Sequence, residues 1–177
     1  MKKTLALGFC ALLGIFFFAT TSSHASDGAV ATSVQSLPYP GILVDHPLYF
    51  IKETRDLAWL ILTRDQDMKS DLLKHIADKK MSMALLLSDK GKWNLSVDVA
   101  QDSQEDLYKA THYAQEALKD ETIVKEDLVD ELKISCDLHQ KALEDLQKTV
   151  PQGEKERIDV FLAKNEEIRK MIGELGK

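Results

Sequence analysis

Cys136 and His139 stand three residues apart in a stretch with helical periodicity, so both leave one face of a helix. His75 has Asp71 one turn before it. Two such pairs on facing helices can supply the imidazole, thiolate and carboxylate donors of a tetrahedral metal site. The spacing carries the idea no further. His46 and His112 stand apart from both pairs, and no Cys-x-x-Cys or His-x-x-x-His spacing occurs. A lone histidine is more often a surface or hydrogen-bonded residue than a ligand, so neither a metal nor a cofactor is expected.

Carboxylates crowd "EDLVDEL" (residues 126–132) and "EKERID" (residues 154–159). Paired carboxylates divide acid and base roles only where their surroundings split their pKa values. Here lysines follow one turn later, as in Glu121 with Lys125 and Glu144 with Lys148, which is ordinary pairing on a helix surface. No serine sits in a nucleophile elbow, and no glycine-rich phosphate loop is present. The sequence is therefore read as non-enzymatic, with no catalytic residue.

The chain has 177 residues and a formal charge of −6. Its start, "MKK", an apolar run over residues 5–19 and then "TTSSHA", has the layout of a secretory leader. Ser23 and Ala25 take the small-residue positions before a cut between Ala25 and Ser26. The apolar run is shorter than the roughly 20 residues of a membrane anchor. Phe9 before Cys10, deep in that run, does not fit a lipoprotein signal. Cleavage removes Lys2 and Lys3 and takes the charge from −6 to −8. Residues 26–97 then carry nine acids and nine bases, and residues 98–177 carry twenty acids and twelve bases. A net-negative chain without a basic stripe is a poor ligand for nucleic acid and for anionic lipid. Cys10 leaves with the leader, so Cys136 has no internal disulfide partner; it is either a small buried hydrophobe or a link to a second chain.

The remaining elements are helical. Residues 26–36 are small and polar and read as a linker. Residues 37–46, with Pro38 and Pro40, form an extended strap that buries Leu37, Tyr39, Ile42 and Leu43 or serves as a docking peptide. A helical domain follows over residues 47–177. Pro47 takes a first helical position, with Asp45 or His46 as cap. Leu57, Leu60 and Ile61, widened by Trp59 and Leu62, give the first helix an apolar face that belongs in a core. Leu72, Ile76, Met83 and Leu87, flanked by Leu73 and Ala77, mark the second, which Asp65 caps and Gly91 ends. "WNLSVDVA" alternates like a strand but has no partner strand, so it is read as the entry to a third helix lined by Ser103, Leu107, Ala110, Ala114 and Leu118. Leu128, Leu132, Ser135, His139, Ala142 and Leu146 line the fourth. Pro151 ends it, and Gly153 loosens the joint. Ile158, Phe161, Asn165, Ile168, Ile172 and Leu175 line the fifth. The fold class is all-α: an antiparallel bundle or stacked hairpins of about five helices.

The stretch "LPYPGILVDHPLYFIKETRD" resembles the opening of a bacterial and archaeal family of envelope or secreted helical domains of unknown function. The residues that carry the resemblance are Leu37, Pro38, Tyr39, Pro40 and Gly41, then Pro47, Leu48, Tyr49 and Phe50, then Lys52, Arg55 and Asp56. "IADKK" and Gly91–Lys92 extend it, to cover roughly residues 37–118, with the tail from Glu121 outside. Where the family tends to a basic, alanine-rich second helix, this chain has "MSMALLLSDKG". The resemblance implies an envelope location and a helical fold, and no activity. Lys52 and Arg55 lie three apart on the first helix, to pair with Asp56 or acids of the last helices, or to meet an acidic partner.

Together these readings give an extracytoplasmic, non-enzymatic helical module, with an unknown envelope protein or a second copy as partner and no membrane span after cleavage. The other function class is a periplasmic small-ligand or metal-binding bundle. N-terminal sequencing of the chain from an envelope fraction is expected to begin at Ser26. A retained Met1 would make the apolar run an anchor instead.

Overall fold

The computed structural model describes residues 36–119 and 127–175. The expected leader and nearly all of the linker lie outside these residues. Among the described residues there are five helices and no strand: α1 (Tyr49–Leu62), α2 (Gln66–Asp89), α3 (Trp93–Lys119), α4 (Leu128–Thr149) and α5 (Gln152–Leu175). The alternating residues after Trp93 are helical, as the lack of a partner strand implies. None of the helices is long and apolar enough to cross a membrane.

The joints follow from local chemistry. Gly91 adopts φ +70°, and its N–H donates to the Ser88 carbonyl at 2.8 Å while Lys92 N–H donates to Leu87 at 2.9 Å. This is a left-handed helix stop that glycine enters without steric cost. Val150 is extended ahead of Pro151, as a pre-proline residue must be, and α5 restarts at once. Gly153 thus sits in the first turn of α5 rather than in the joint. Asp65 stands at the N-cap of α2 but makes no side-chain cap bond.

Helices α2–α5 form the bundle. Ser96 and Ser103 of α3 donate their hydroxyls to the Ala84 and Ala77 carbonyls of α2 at 2.7 and 2.8 Å. These pairs run in opposite directions along the two helices, so α2 and α3 are an antiparallel hairpin. The small residues of α3 let the backbones come close enough for such bonds. Cys136 with Asn165 and Gln147 with Asp159 set α4 and α5 antiparallel in the same way. The hairpins lie side by side with α2 parallel to α4 and α3 parallel to α5, as Asp78–Ser135 and Ser88–Thr149 show on one side and Asp98–Arg157 and Tyr108–Lys164 on the other.

The core is two apolar clusters with a polar layer between them. Met81, Leu87, Val97, Leu143 and Ile158 belong to one cluster; Leu73, Leu107, Leu132, Ile168 and Ile172 belong to the other. Between them every bundle helix places a buried polar residue: Asp78, Gln104, Ser135 with His139, and Asn165. One Asp78 carboxylate oxygen accepts from the Ser135 hydroxyl and from His139 Nε2 at 3.1 Å. The Gln104 amide nitrogen lies 3.0 Å from His139 Nδ1, so as donor it leaves the ring proton on Nε2, facing Asp78. Asn165 donates to the Cys136 carbonyl and the Gln140 amide oxygen, both at 3.1 Å.

Several sequence expectations are corrected. In α2, Met83 and Leu87 are buried as expected, together with Leu73, Ala77, Met81 and Ala84, while Leu72 and Ile76 are only partly covered. In α3, Ala117 is buried and Leu118 is exposed. The strap is irregular, as proline demands, but only half of it packs. Pro40 is buried and Leu37, Leu43 and Val44 rest on the first cluster. Tyr39 is 82% exposed and Ile42 is exposed too. Gly41, at φ +73°, redirects the chain between Pro40 and Ile42.

Removing His139 leaves the buried Asp78 carboxylate without one of its two donors. His139→Ala is expected to lower the unfolding free energy by about 3 kcal/mol in a urea titration. Tyr39→Ala, in the same titration, is expected to stay within about 0.5 kcal/mol of the parent. A large loss for Tyr39→Ala with none for His139→Ala would reverse which of the two regions holds the fold.

Candidate functional site

The residues "LYFIKETRDLAWLIL" predict a helix that buries an apolar face, and α1 forms, but no residue of it is buried. Phe50 (62% exposed), Ile61 (73%) and Leu62 (74%) face solvent, as do Ile51, Leu57 and Trp59. This corrects the expectation that Leu57, Ile61, Trp59 and Leu62 line a core. The side of α1 that meets the bundle carries Tyr49, Lys52, Asp56 and Leu60, so Lys52 and Asp56 turn in while most of the large apolar residues turn out.

The physical cause lies in what the inner side meets. The helix starts at Tyr49, two residues after Pro47, in a turn where Tyr49 N–H donates to the His46 carbonyl at 2.9 Å. His46 Nδ1 accepts from Leu48 N–H at 3.2 Å. Asp45, one of the two expected caps, instead pairs with Lys92 at 2.6 Å, tying the strap to the turn after α2. Lys52 donates to the Pro40 carbonyl at 2.8 Å and lies over the Tyr49 ring, 5.5 Å from its centroid. Helix and strap are thus held by polar contacts to each other, and Val44 N–H meets the Met83 sulfur at 3.3 Å beneath them.

Between α1 and the α2–α3 hairpin runs a cleft of about 390 Å³. Its apolar floor is Leu60, Leu73 and Ile76; its charged wall is Lys52, Lys79, Lys80 and Asp106. Lys80 pairs with Asp106 at 2.6 Å. Burial acts against the Lys80 charge, but the Asp106 carboxylate outweighs it and holds the ammonium above the usual lysine range. Lys52 moves the other way: burial lowers it, helped by the nearby Lys79, Arg55 and Lys80 against Asp56. Burial also raises Tyr49. Arg55 pairs with its neighbour Asp56 at 2.6 Å, so neither Lys52 nor Arg55 meets acids of the last helices.

The structure separates the other candidates for chemistry. Cys136 directs its thiol to the Asn165 carbonyl at 3.6 Å, while His139, one turn on, is held between Asp78 and Gln104. His75 makes a 3.5 Å contact to Asp71 on an exposed face, and His112 lies 3.2 Å from Glu116. Among the described residues no group of three or more histidine, cysteine or acidic side chains stands together as a metal site. Ser135, His139 and Asp78 have the residue types of a hydrolase triad, but serine and histidine both donate to aspartate, and all three are buried. A nucleophile needs its base on its own hydroxyl, which is not the arrangement here. Sequence reading placed Ser135 and His139 on the α4 seam; Asp78, as their partner, had no signal beyond its place one residue past Ala77.

Fold and site together define a class: an all-α bundle of two stacked hairpins with an additional helix whose apolar face is open. Over residues 41–174 the chain matches a domain of unknown function, DUF5667, and it belongs to that family. The match runs through α4 and α5, correcting the expectation that the tail from Glu121 stands outside the family, and it begins at Gly41. No curated protein and no solved structure matches the chain. Within "MSMALLLSDKG", Met81, Met83, Ala84 and Leu87 are buried in the core.

Burial pushes the Cys136 thiol up to about 11, against the opposing pull of Arg169. Thiolate is the reactive form. At about pH 8 the native chain without its leader, which has Cys136 as its one cysteine, is expected to give no reaction with a thiol reagent, and one equivalent on denaturation. Rapid labelling of the native chain, or a disulfide-linked dimer on a non-reducing gel, would put Cys136 at a surface.

Proposed function

We propose that this chain is a non-enzymatic, extracytoplasmic helical module that works by protein–protein interaction in the cell envelope, with α1 as its contact element. The leader pattern ending at Ala25 supports the location. The observation that carries the interaction is the open apolar face of α1. Monomeric proteins rarely leave so many large apolar side chains together in water, because each is worth about 1.5–3 kcal/mol when covered. The opening motif around Tyr49 and Lys52 then has a structural part to play: its polar contacts hold α1 to the strap with the apolar side outward. The cleft supports a second reading, a small-ligand site, since its size falls within the roughly 300–1,000 Å³ of such pockets.

Photo-crosslinking in cells separates the two. A photoreactive residue at Phe50 or Ile61 is expected to give protein adducts in the envelope fraction, and one at the exposed Val160 of α5 is not. Phe50→Glu should weaken the captured contact at least about tenfold, or about 1.4 kcal/mol. Adducts equally frequent from Val160, or none from α1, would leave the cleft as the better site.

A further inference from the structure

The open face of α1 has a property beyond its apolarity: it matches itself when reversed. At the helical spacing of about 3.6 residues per turn, Phe50, Ile51, Ile61 and Leu62 surround Thr54 and Ala58, with Leu57 at the edge toward the cleft. Phe50 and Leu62 are equidistant from residue 56, as are Ile51 and Ile61, and Thr54 and Ala58. Large side chains stand at both ends and small ones in the middle. Thr54 donates its hydroxyl to the Phe50 carbonyl at 2.7 Å, which takes its polar group off the face. We infer that the occupant of this face is a second copy of the chain, docked through α1 about a two-fold axis near residue 56. This rests on the docking reading above and names its partner.

A two-fold contact requires one patch to be complementary to itself. In antiparallel register the small centre of each α1 admits the other backbone, and the large ends of one helix lie against the opposite ends of its mate. Charge permits the approach. The six paired face positions carry none, and residues 26–97 balance nine acids with nine bases; the excess acid lies in the second half of the chain. An anionic membrane would select a basic polar side, whereas α1 carries Lys52 and Arg55 against Glu53 and Asp56. The area fits as well. With Leu48 and Trp59 at its edge, the exposed face offers on the order of 600 Å² per copy. Two copies bury on the order of 1,200 Å², the lower bound for a specific pair.

Sedimentation of the chain, recovered from cells after leader processing, is expected to show a monomer–dimer equilibrium between about 1 and 200 μM. Ile61→Glu and, separately, Ile51→Glu should hold it monomeric with melting unchanged, since both side chains are already open to water. Thr54→Cys chains mixed with Ala58→Cys chains should link on mild oxidation, while Val160→Cys chains should not. A chain monomeric over that whole range, or a dimer indifferent to both glutamates, overturns the inference. Binding of the parent but not Ile61→Glu to phosphatidylcholine vesicles, with the chain alone monomeric, assigns the face to lipid and overturns it too. A monomer that still crosslinks through Phe50 to another envelope protein overturns the dimer and leaves the docking reading standing. A monomer without such crosslinks overturns both.

Discussion

Asp78 places a carboxylate oxygen between the Ser135 hydroxyl and the His139 ring, at the level where the apolar clusters of the bundle part. A carboxylate taken out of water is costly unless donors satisfy it, and a bundle offers such donors at one alignment of its helices only. Sliding α4 by one turn would set Leu132 or Leu143 against Asp78 and leave His139 among aliphatic side chains. The layer therefore contributes register more than net stability. It also joins helices that do not otherwise pack closely: His139, from α4, reaches Gln104 of α3 across the centre of the bundle.

With that register set, two hairpins of four helices close the core by themselves. Each apolar stripe of α2–α5 finds a partner inside the four, and the strap covers one end with Leu37, Pro40 and Leu43. The first helix comes to a bundle that is already full. What it meets there is the Pro40 carbonyl, the Tyr49 ring on its own first turn, and the lysines of α2. Polar groups suit that side, and the apolar residues of α1 are left outward.

The chemistry of the chain is arranged the same way. Cys136, His139 and Asp78 are spent on holding helices together, each with a named partner in the interior. None of them opens to a cleft. The cleft beneath α1 has a different composition, lysines above an aliphatic floor, and the outer face of α1 has none of these groups. Structure and contact are thus divided between the bundle and its outlying helix.

How much of this was legible in the sequence differs by element. Helical periodicity, the Gly91 stop and Pro151 were enough to mark five helices, because each is a property of a few neighbouring residues. The seams of α4 and α5 were readable almost residue by residue: Leu128, Leu132, Ser135, His139 and Leu146, then Ile158, Phe161, Asn165, Ile168 and Ile172, are all buried. Their spacing even put polar residues on those seams. It did not say that Asp78 and Gln104 would meet them, since partners 35 to 61 residues apart are brought together only by the packing of hairpins. For α1 the sequence determined that one face is apolar, and the tertiary structure decided that this face stays open. Periodicity reports which side chains share a side of a helix. Whether that side is covered depends on how many other apolar surfaces the fold has left to cover it, and here four helices had already used theirs on one another.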